Sequence, residues 1–237
     1  MLSVLDVHTY YGESHVLQGV TLRVETGSVT AVLGRNGVGK TTLCKTVVGL
    51  APARAGRIVL DGADITRLPP HKICGIHIGL VPQGRRIFPS LTVYENLAIA
   101  HQRKSGVCRW DIDAVFTLFP RLAERRHHRG NELSGGEQQI LAIARALVAN
   151  RSFLVMDEPT EGLAPALVAE ITRLIRRLRD EGTSVLLAEQ NAAFAVTAAD
   201  YVHVMSKGAI VYSSEPAALW NNDAIKTQFL GVPRSEQ

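Results

Sequence analysis

The chain has 237 residues, 46% of them hydrophobic and 20% charged, ordinary values for a chain that buries a sizeable core. No segment reaches the roughly 18 uninterrupted apolar residues of a membrane span, so the chain is not expected to cross a bilayer itself. Its 26 basic against 22 acidic residues leave a net charge of +4, too mild an excess to argue for nucleic acid.

The start, Met1 to Asp6, lacks the charged region and long apolar stretch of a signal peptide, and a cytoplasmic location is expected. Strands are predicted near 2–8, 18–25 and 29–33. The third, Val29 to Leu33, runs directly into Gly34-Arg35-Asn36-Gly37-Val38-Gly39-Lys40-Thr41, which fits the pattern G-x-x-x-x-G-K-[ST]. The glycines let successive N–H groups point at one anion, and the next helix adds its N-terminal dipole. Lys40 supplies a point charge for the β and γ phosphates, and Thr41 a hydroxyl for Mg²⁺. A Gly-rich turn before an ordinary helix needs no Lys-Thr pair at its end.

Strands near 57–60 and 78–81 follow, and then helical patterns take over from about 90 to 150. Leu133-Ser134-Gly135-Gly136-Glu137-Gln138 lies in that stretch. Ser134 and Glu137 form an S-x-x-E capping box, but a cap does not require two glycines, each costing about 1 kcal/mol inside a helix. A phosphate approaching the backbone would explain them. The runs Phe153 to Met156 and Val185 to Ala188 are uniformly apolar, as expected of parallel strands covered on both faces, and ligands collect at the carboxyl ends of such strands. The first run ends in Asp157-Glu158. From Pro165 a helix is predicted with an apolar stripe of Leu167, Val168, Ile171, Leu174, Ile175 and Leu178, and with Arg173, Arg176, Arg177 and Arg179 mostly outward. Strands near 201–205 and 209–212 end the pattern. Cys44, Cys74 and Cys108 show no C-x-x-C spacing and read as reduced thiols.

With the phosphate loop, the Ser134 motif and the Asp157-Glu158 strand in this order, the chain resembles the ATP-binding subunit of ABC transporters along nearly its whole length. The resemblance implies an α/β fold of the P-loop NTPase, RecA-like kind: a mixed sheet core with antiparallel strands and an inserted helical lobe. The single domain would divide into a nucleotide-binding core, 1–83 and 152–237, and a signature lobe, 84–151. ATP and Mg²⁺ are the implied cofactors. Asp157 is placed to hold the Mg²⁺ hydration shell, and Glu158 to take a proton from the attacking water. Tyr11 stands where this family stacks a ring on adenine, and Val16 and Thr42 are expected beside the nucleotide. Gln83 matches the family's glutamine loop, reaching Mg²⁺ and the attacking water. Across a dimer, Ser134, Gly135, Gly136 and Glu137 would meet the nucleotide held by the other chain's phosphate loop.

Two positions depart from the common pattern. Gln190 stands where most of these ATPases have a histidine touching the γ phosphate; it donates from its amide but does not titrate. Ala164 replaces an aspartate that many members place across the dimer interface. Both features resemble the importers of branched-chain amino acids and the similar importers of urea and short amides. Gly84 to Leu97 resembles the same subset, and Glu161-Gly162, Gln83 and Tyr10 to His15 lean toward the urea branch.

The implied partners are a second ATPase chain, identical or related, and two integral-membrane permeases, with a solute-binding protein acting indirectly. The chain would sit at the cytoplasmic face of the membrane. Another class, soluble ABC ATPases acting on ribosomes or DNA, usually brings a second cassette, a long coiled coil or a strongly basic arm, and no nucleic acid is expected here. A scaffold without turnover is disfavoured by Lys40, Asp157 and Glu158, while Ala164 and Gln190 keep it open. The permease-facing surface is assigned to 84–97, with Ile87, Phe88 and Leu91 as apolar anchors amid Arg85 and Arg86. The basic run 121–129 reads as a solvated helix end and loop, and its adjacent histidines, His127 and His128, are poor metal ligands.

Overall fold

The computed structural model describes residues 1–76, 78–101 and 110–231; Cys108, read above as a reduced thiol, lies outside them. Cys44 is buried and Cys74 exposed, both as free thiols. In chain order the elements are β1 (Leu2–Tyr11), β2 (Ser14–Val24), β3 (Val29–Leu33), α1 (Lys40–Val47), β4 (Ala53–Leu60), β5 (Ala63–Asp64), α2 (Pro70–Gly75) and β6 (Ile78–Val81). The helices α3 (Val93–Ala100), α4 (Ile112–Leu118), α5 (Pro120–Glu124) and α6 (Gly135–Val148) follow. The chain then returns to β7 (Phe153–Asp157), α7 (Pro165–Asp180), β8 (Ser184–Glu189), α8 (Ala192–Ala198), β9 (Tyr201–Ser206), β10 (Ala209–Ser214) and α9 (Pro216–Trp220).

Two sheets form. One is antiparallel, in the order β2-β1-β4-β5; the other runs β10-β9-β3-β8-β7-β6 and is parallel except for the β10–β9 pair. The uniformly apolar strands are explained by what covers each face. Val29, Ala31, Leu33, Leu154, Met156, Val185 and Leu187 pack into one core with α6, α7 and α8. The alternate residues Val32, Phe153, Val155, Leu186 and Ala188 pack into a second core with α1 and the antiparallel sheet. A strand with two apolar faces needs no polar alternation. Along α7 the predicted stripe turns inward, with Ile171, Leu174, Ile175 and Leu178 buried, while Arg173, Arg176 and Arg177 are exposed. Each fully buried aliphatic side chain of this kind contributes about 1.5–3 kcal/mol.

The expected boundaries shift at the antiparallel sheet. β1 continues to Tyr11 and β2 begins at Ser14, so Tyr11 is the last residue of its strand, and Gly12 closes the hairpin at φ 58°. That hairpin end is largely exposed and polar, so it lacks the apolar alternation that marks strands in a sequence. No helix among the described residues is long and apolar enough to cross a membrane.

Candidate active site

The site is built at the carboxyl ends of β3, β7 and β8, which hydrogen-bond side by side. Leaving β3, the chain makes a loop whose glycines have physical reasons. A Cβ at Gly34 would lie 2.6 Å from the Met205 carbonyl oxygen, and Gly39 has φ 115°, where a side chain would be strained. Arg35, Asn36 and Gly37 are exposed, Val38 is half-buried, and the loop closes onto the first turn of α1. There Lys40 and Thr42 are buried and Thr41 is partly open. Val16 borders the loop: its carbonyl oxygen lies 3.5 Å from where a Gly39 Cβ would sit.

Lys40 is 4% exposed, and its ammonium is satisfied by three oxygens. It donates to the carbonyls of Gly34 at 2.8 Å and Arg35 at 3.1 Å, and pairs with Glu158 Oε1 at 2.9 Å. A buried cation with a full set of acceptors needs no solvent. Glu158 is itself 7% exposed and is held at φ 49°, a left-handed backbone unusual for a residue with a side chain. Its N–H donates to the Ala188 carbonyl at 2.9 Å, which fixes that turn at the end of β7. Strain of this kind concentrates where a side chain must be aimed.

Gln83, two residues beyond β6, joins the cluster. Its amide nitrogen donates to Glu158 Oε2 at 3.0 Å and Glu161 Oε2 at 3.1 Å, while Thr41 Oγ1 lies 3.3 Å from its carbonyl oxygen. Thr41 Oγ1 also lies 3.1 Å from Asp157 Oδ1. A hydroxyl, an amide carbonyl and a carboxylate thus converge, a hard-oxygen set suited to Mg²⁺ with retained waters and phosphate oxygens. Burial pushes the Asp157 carboxyl up to about 6; the Thr41 hydroxyl and the Lys40 charge oppose the rise, and the Glu158 charge adds to it. A bound dication would favour the ionised form of such a group.

Tyr11 is 49% exposed at the hairpin end, open for a planar partner. Beside it, Arg54 lies over the Tyr10 ring at 4.5 Å, and Tyr10 stacks on His15 at 4.1 Å. Gln190 is exposed, one residue beyond β8, next to Glu189. The predicted capping box is present at α6, where Ser134 accepts from the Glu137 N–H and Glu137 accepts from the Ser134 N–H. Its glycines have partners within the chain as well. A Cβ on Gly135 would lie 2.7 Å from the Arg85 guanidinium, and one on Gly136 would lie 2.7 Å from Leu167. Arg85 therefore belongs to the Ser134 turn, where it also donates to Gln138 at 3.3 Å, and not to the apolar residues beside it in sequence. Ala164, with Ser134, Gly136 and Glu137, lines a cavity of about 610 Å³ shared between this turn and the segment that leads into α7.

Two acids beyond the predicted set belong here. Glu161 meets Gln83 as described. Glu189, 2% exposed, accepts from Thr160 Oγ1 at 2.6 Å and from the N–H groups of Thr160, Gln190 and Asn191. Burial raises its carboxyl above the usual range, and those donors oppose the rise. A glutamate closing an otherwise apolar strand was the sequence signal for it.

Residues 17–161 match the family model described as ABC transporter. The chain belongs to the ABC transporter family. As such it is an ATP-binding and ATP-hydrolysing subunit that works with Mg²⁺. Over 98% of its length and 100% of the relative's, this ABC cassette is 42% identical to the high-affinity branched-chain amino acid transport ATP-binding protein BraG of Pseudomonas aeruginosa. It is 35% identical, over 97% of both chains, to the lipopolysaccharide export system ATP-binding protein LptB of Escherichia coli. Among solved structures it resembles a nucleotide-free ATP-binding cassette from an ABC transporter, with a TM-score of 0.84 at 26% identity over 99% of both chains. A bacterial ABC transporter cassette solved as a dimer matches with a TM-score of 0.80 at 25% identity, over 91% of this chain and 99% of that one.

Proposed function

We propose that this subunit powers uptake of branched-chain amino acids through partner permeases. The observation that carries the motor part is the single network joining Lys40, Thr41, Gln83, Asp157 and Glu158. In this reading Lys40 and the amides of Gly34 to Thr42 hold the phosphates, Tyr11 and Val16 flank the adenine, and Thr41, Gln83 and Asp157 hold Mg²⁺. Glu158 takes the proton of the attacking water on Oε1, the oxygen that Lys40 leaves when it turns to the phosphates, and Gln83 on Oε2 holds the carboxylate in line. Gln190 donates to the γ phosphate. Ser134, Gly135, Gly136 and Glu137 present the α6 N-terminus to the nucleotide of a second ATPase chain, identical or related. Binding closes the pair, and hydrolysis resets it.

Residues 1–83 and 152–237 form the nucleotide core in this account, and 84–151 the lobe that carries the signature and meets the permeases. Support for the contact surface comes from the 88–92 segment. The buried Asn96 accepts from the Phe88 N–H at 2.9 Å and donates to the carbonyls of Phe88, Leu91 and Thr92, holding Phe88 out at 45% exposure. Val93 and Tyr94 donate to the carbonyls of His128 and Arg126, so the basic run flanks this surface. The membrane's cytoplasmic face is the corresponding location. For the solute, support comes from the full-length similarity to BraG, higher than that to LptB.

Uptake of labelled leucine, urea and acetamide by cells lacking this chain tests the reading. Leucine uptake should fall and be restored by the parent chain but not by Glu158→Gln. Loss of urea or acetamide uptake with leucine uptake unchanged would move the assignment to the urea and short-amide branch.

A further inference from the structure

Gln83 has one carbonyl oxygen and two N–H hydrogens, and all of them are used. The oxygen faces Thr41 at 3.3 Å, and the two N–H groups are divided between Glu158 at 3.0 Å and Glu161 at 3.1 Å. Turning the amide over would set its oxygen against two carboxylates and its NH₂ against the Thr41–Asp157 oxygens. The two acids therefore decide which end of Gln83 faces the oxygen cluster. They are not equivalent. Glu158 has a second partner in Lys40 and a place of its own in the cluster, whereas Glu161 is exposed and its carboxylate meets the cluster through Gln83.

The backbone makes this arrangement local. Glu161 donates its N–H to the Glu158 carbonyl at 3.2 Å, closing a turn that sets both carboxylates on the same side toward Gln83. Gly162, at φ 67°, carries the chain out of that turn.

We propose that Glu161 is a positioning residue: by accepting one Gln83 N–H it keeps the Gln83 carbonyl turned toward Thr41 and Asp157, and so sets the affinity of that oxygen cluster for Mg²⁺. This rests on the reading of Thr41, Gln83 and Asp157 as the Mg²⁺ set. What Glu161 supplies is an acceptor, not a charge on the metal, since Gln83 stands between them. Partners that orient a metal ligand from outside the coordination sphere change metal affinity about 10–100-fold when removed.

The test is a titration with Mn²⁺ as a spin probe, followed by electron paramagnetic resonance in the presence of a non-hydrolysable ATP analogue. Glu161→Ala should weaken Mn²⁺ binding about tenfold, with nucleotide affinity in EDTA unchanged. Glu161→Gln, which keeps a carbonyl acceptor, should stay within about threefold of the parent. In a Gln83→Ala background, Glu161→Ala should have no further effect, because its route is gone. Parent-like Mn²⁺ affinity in Glu161→Ala, with Gln83→Ala weakened, overturns the proposal and leaves the metal reading standing. A Glu161→Gln defect as large as that of Glu161→Ala also overturns it, in favour of a role for charge. If Gln83→Ala binds Mn²⁺ as the parent does, the metal reading itself fails, and the proposal with it.

Discussion

Asp157→Asn separates the cost of a buried carboxylate from its use. In the folded chain this carboxyl is raised from 3.8 to about 6, so folding opposes its ionisation. At about 1.36 kcal/mol per unit, the penalty at neutral pH is on the order of 3 kcal/mol. The sign follows from proton binding. Between the two values the folded chain holds more protons than the unfolded one, so stability falls as pH rises through that window; below it the penalty is absent, and above it complete. Asparagine keeps the shape and an oxygen for the Thr41 hydroxyl but carries no charge to bury. In urea unfolding with EDTA, Asp157→Asn should therefore be roughly 2–3 kcal/mol more stable than the parent near pH 7.5, with the difference vanishing below about pH 4. Adding Mg²⁺ and ATP should stabilise the parent more than the variant, since ligand binding to the folded state adds to stability. A variant no more stable than the parent at neutral pH, or a difference that does not change with pH, would mean that ionised Asp157 carries no burial penalty in the folded chain.

Lys40→Ala should lower ATP affinity at least tenfold by nucleotide titration, and should leave Glu158 buried without its cation. Phe88→Asp should leave the ATPase, assayed with the partner ATPase chain and without permeases, within about twofold of the parent while abolishing transport, since the ring is exposed and away from the oxygen cluster. Cysteines placed at 86 to 90 should crosslink to the permease; capture only from 121 to 129 would move the contact to the basic flank. Ile175→Ala, at a fully buried position of α7, should cost about 2–5 kcal/mol in denaturant unfolding, and a loss under about 1 kcal/mol would mean that this face of the helix is loosely packed.

The main strands, the long α7 and the phosphate loop were legible because their signals are local. Apolar runs, a Pro-started stripe and a glycine pattern ending in Lys40-Thr41 can be read within a few neighbours. The hairpin end at Tyr11 and the two-residue β5 were not, because exposed or very short strands carry no alternation. Gln83 and the adjacent pair Asp157-Glu158 were placed by motif, and the fold brings them together from two separate segments. Glu161 was legible only as a family trait and Glu189 only as an odd charge, since the side-chain partner of each, Gln83 and Thr160, lies 78 and 29 residues away in the chain. Arg85 reads as a surface cation beside apolar anchors, and only the packing against Gly135 sends it to the signature turn.

In this cassette ATP hydrolysis rests on Glu158 as the proposed base. Steady-state ATPase of Glu158→Gln, measured with its proper partner chain and alongside ATP binding and sedimentation, tests it most directly. Turnover should fall at least 100-fold while ATP still binds and the closed dimer accumulates, because the amide keeps the shape and cannot take the proton. Hydrolysis at the parent rate would contradict the account.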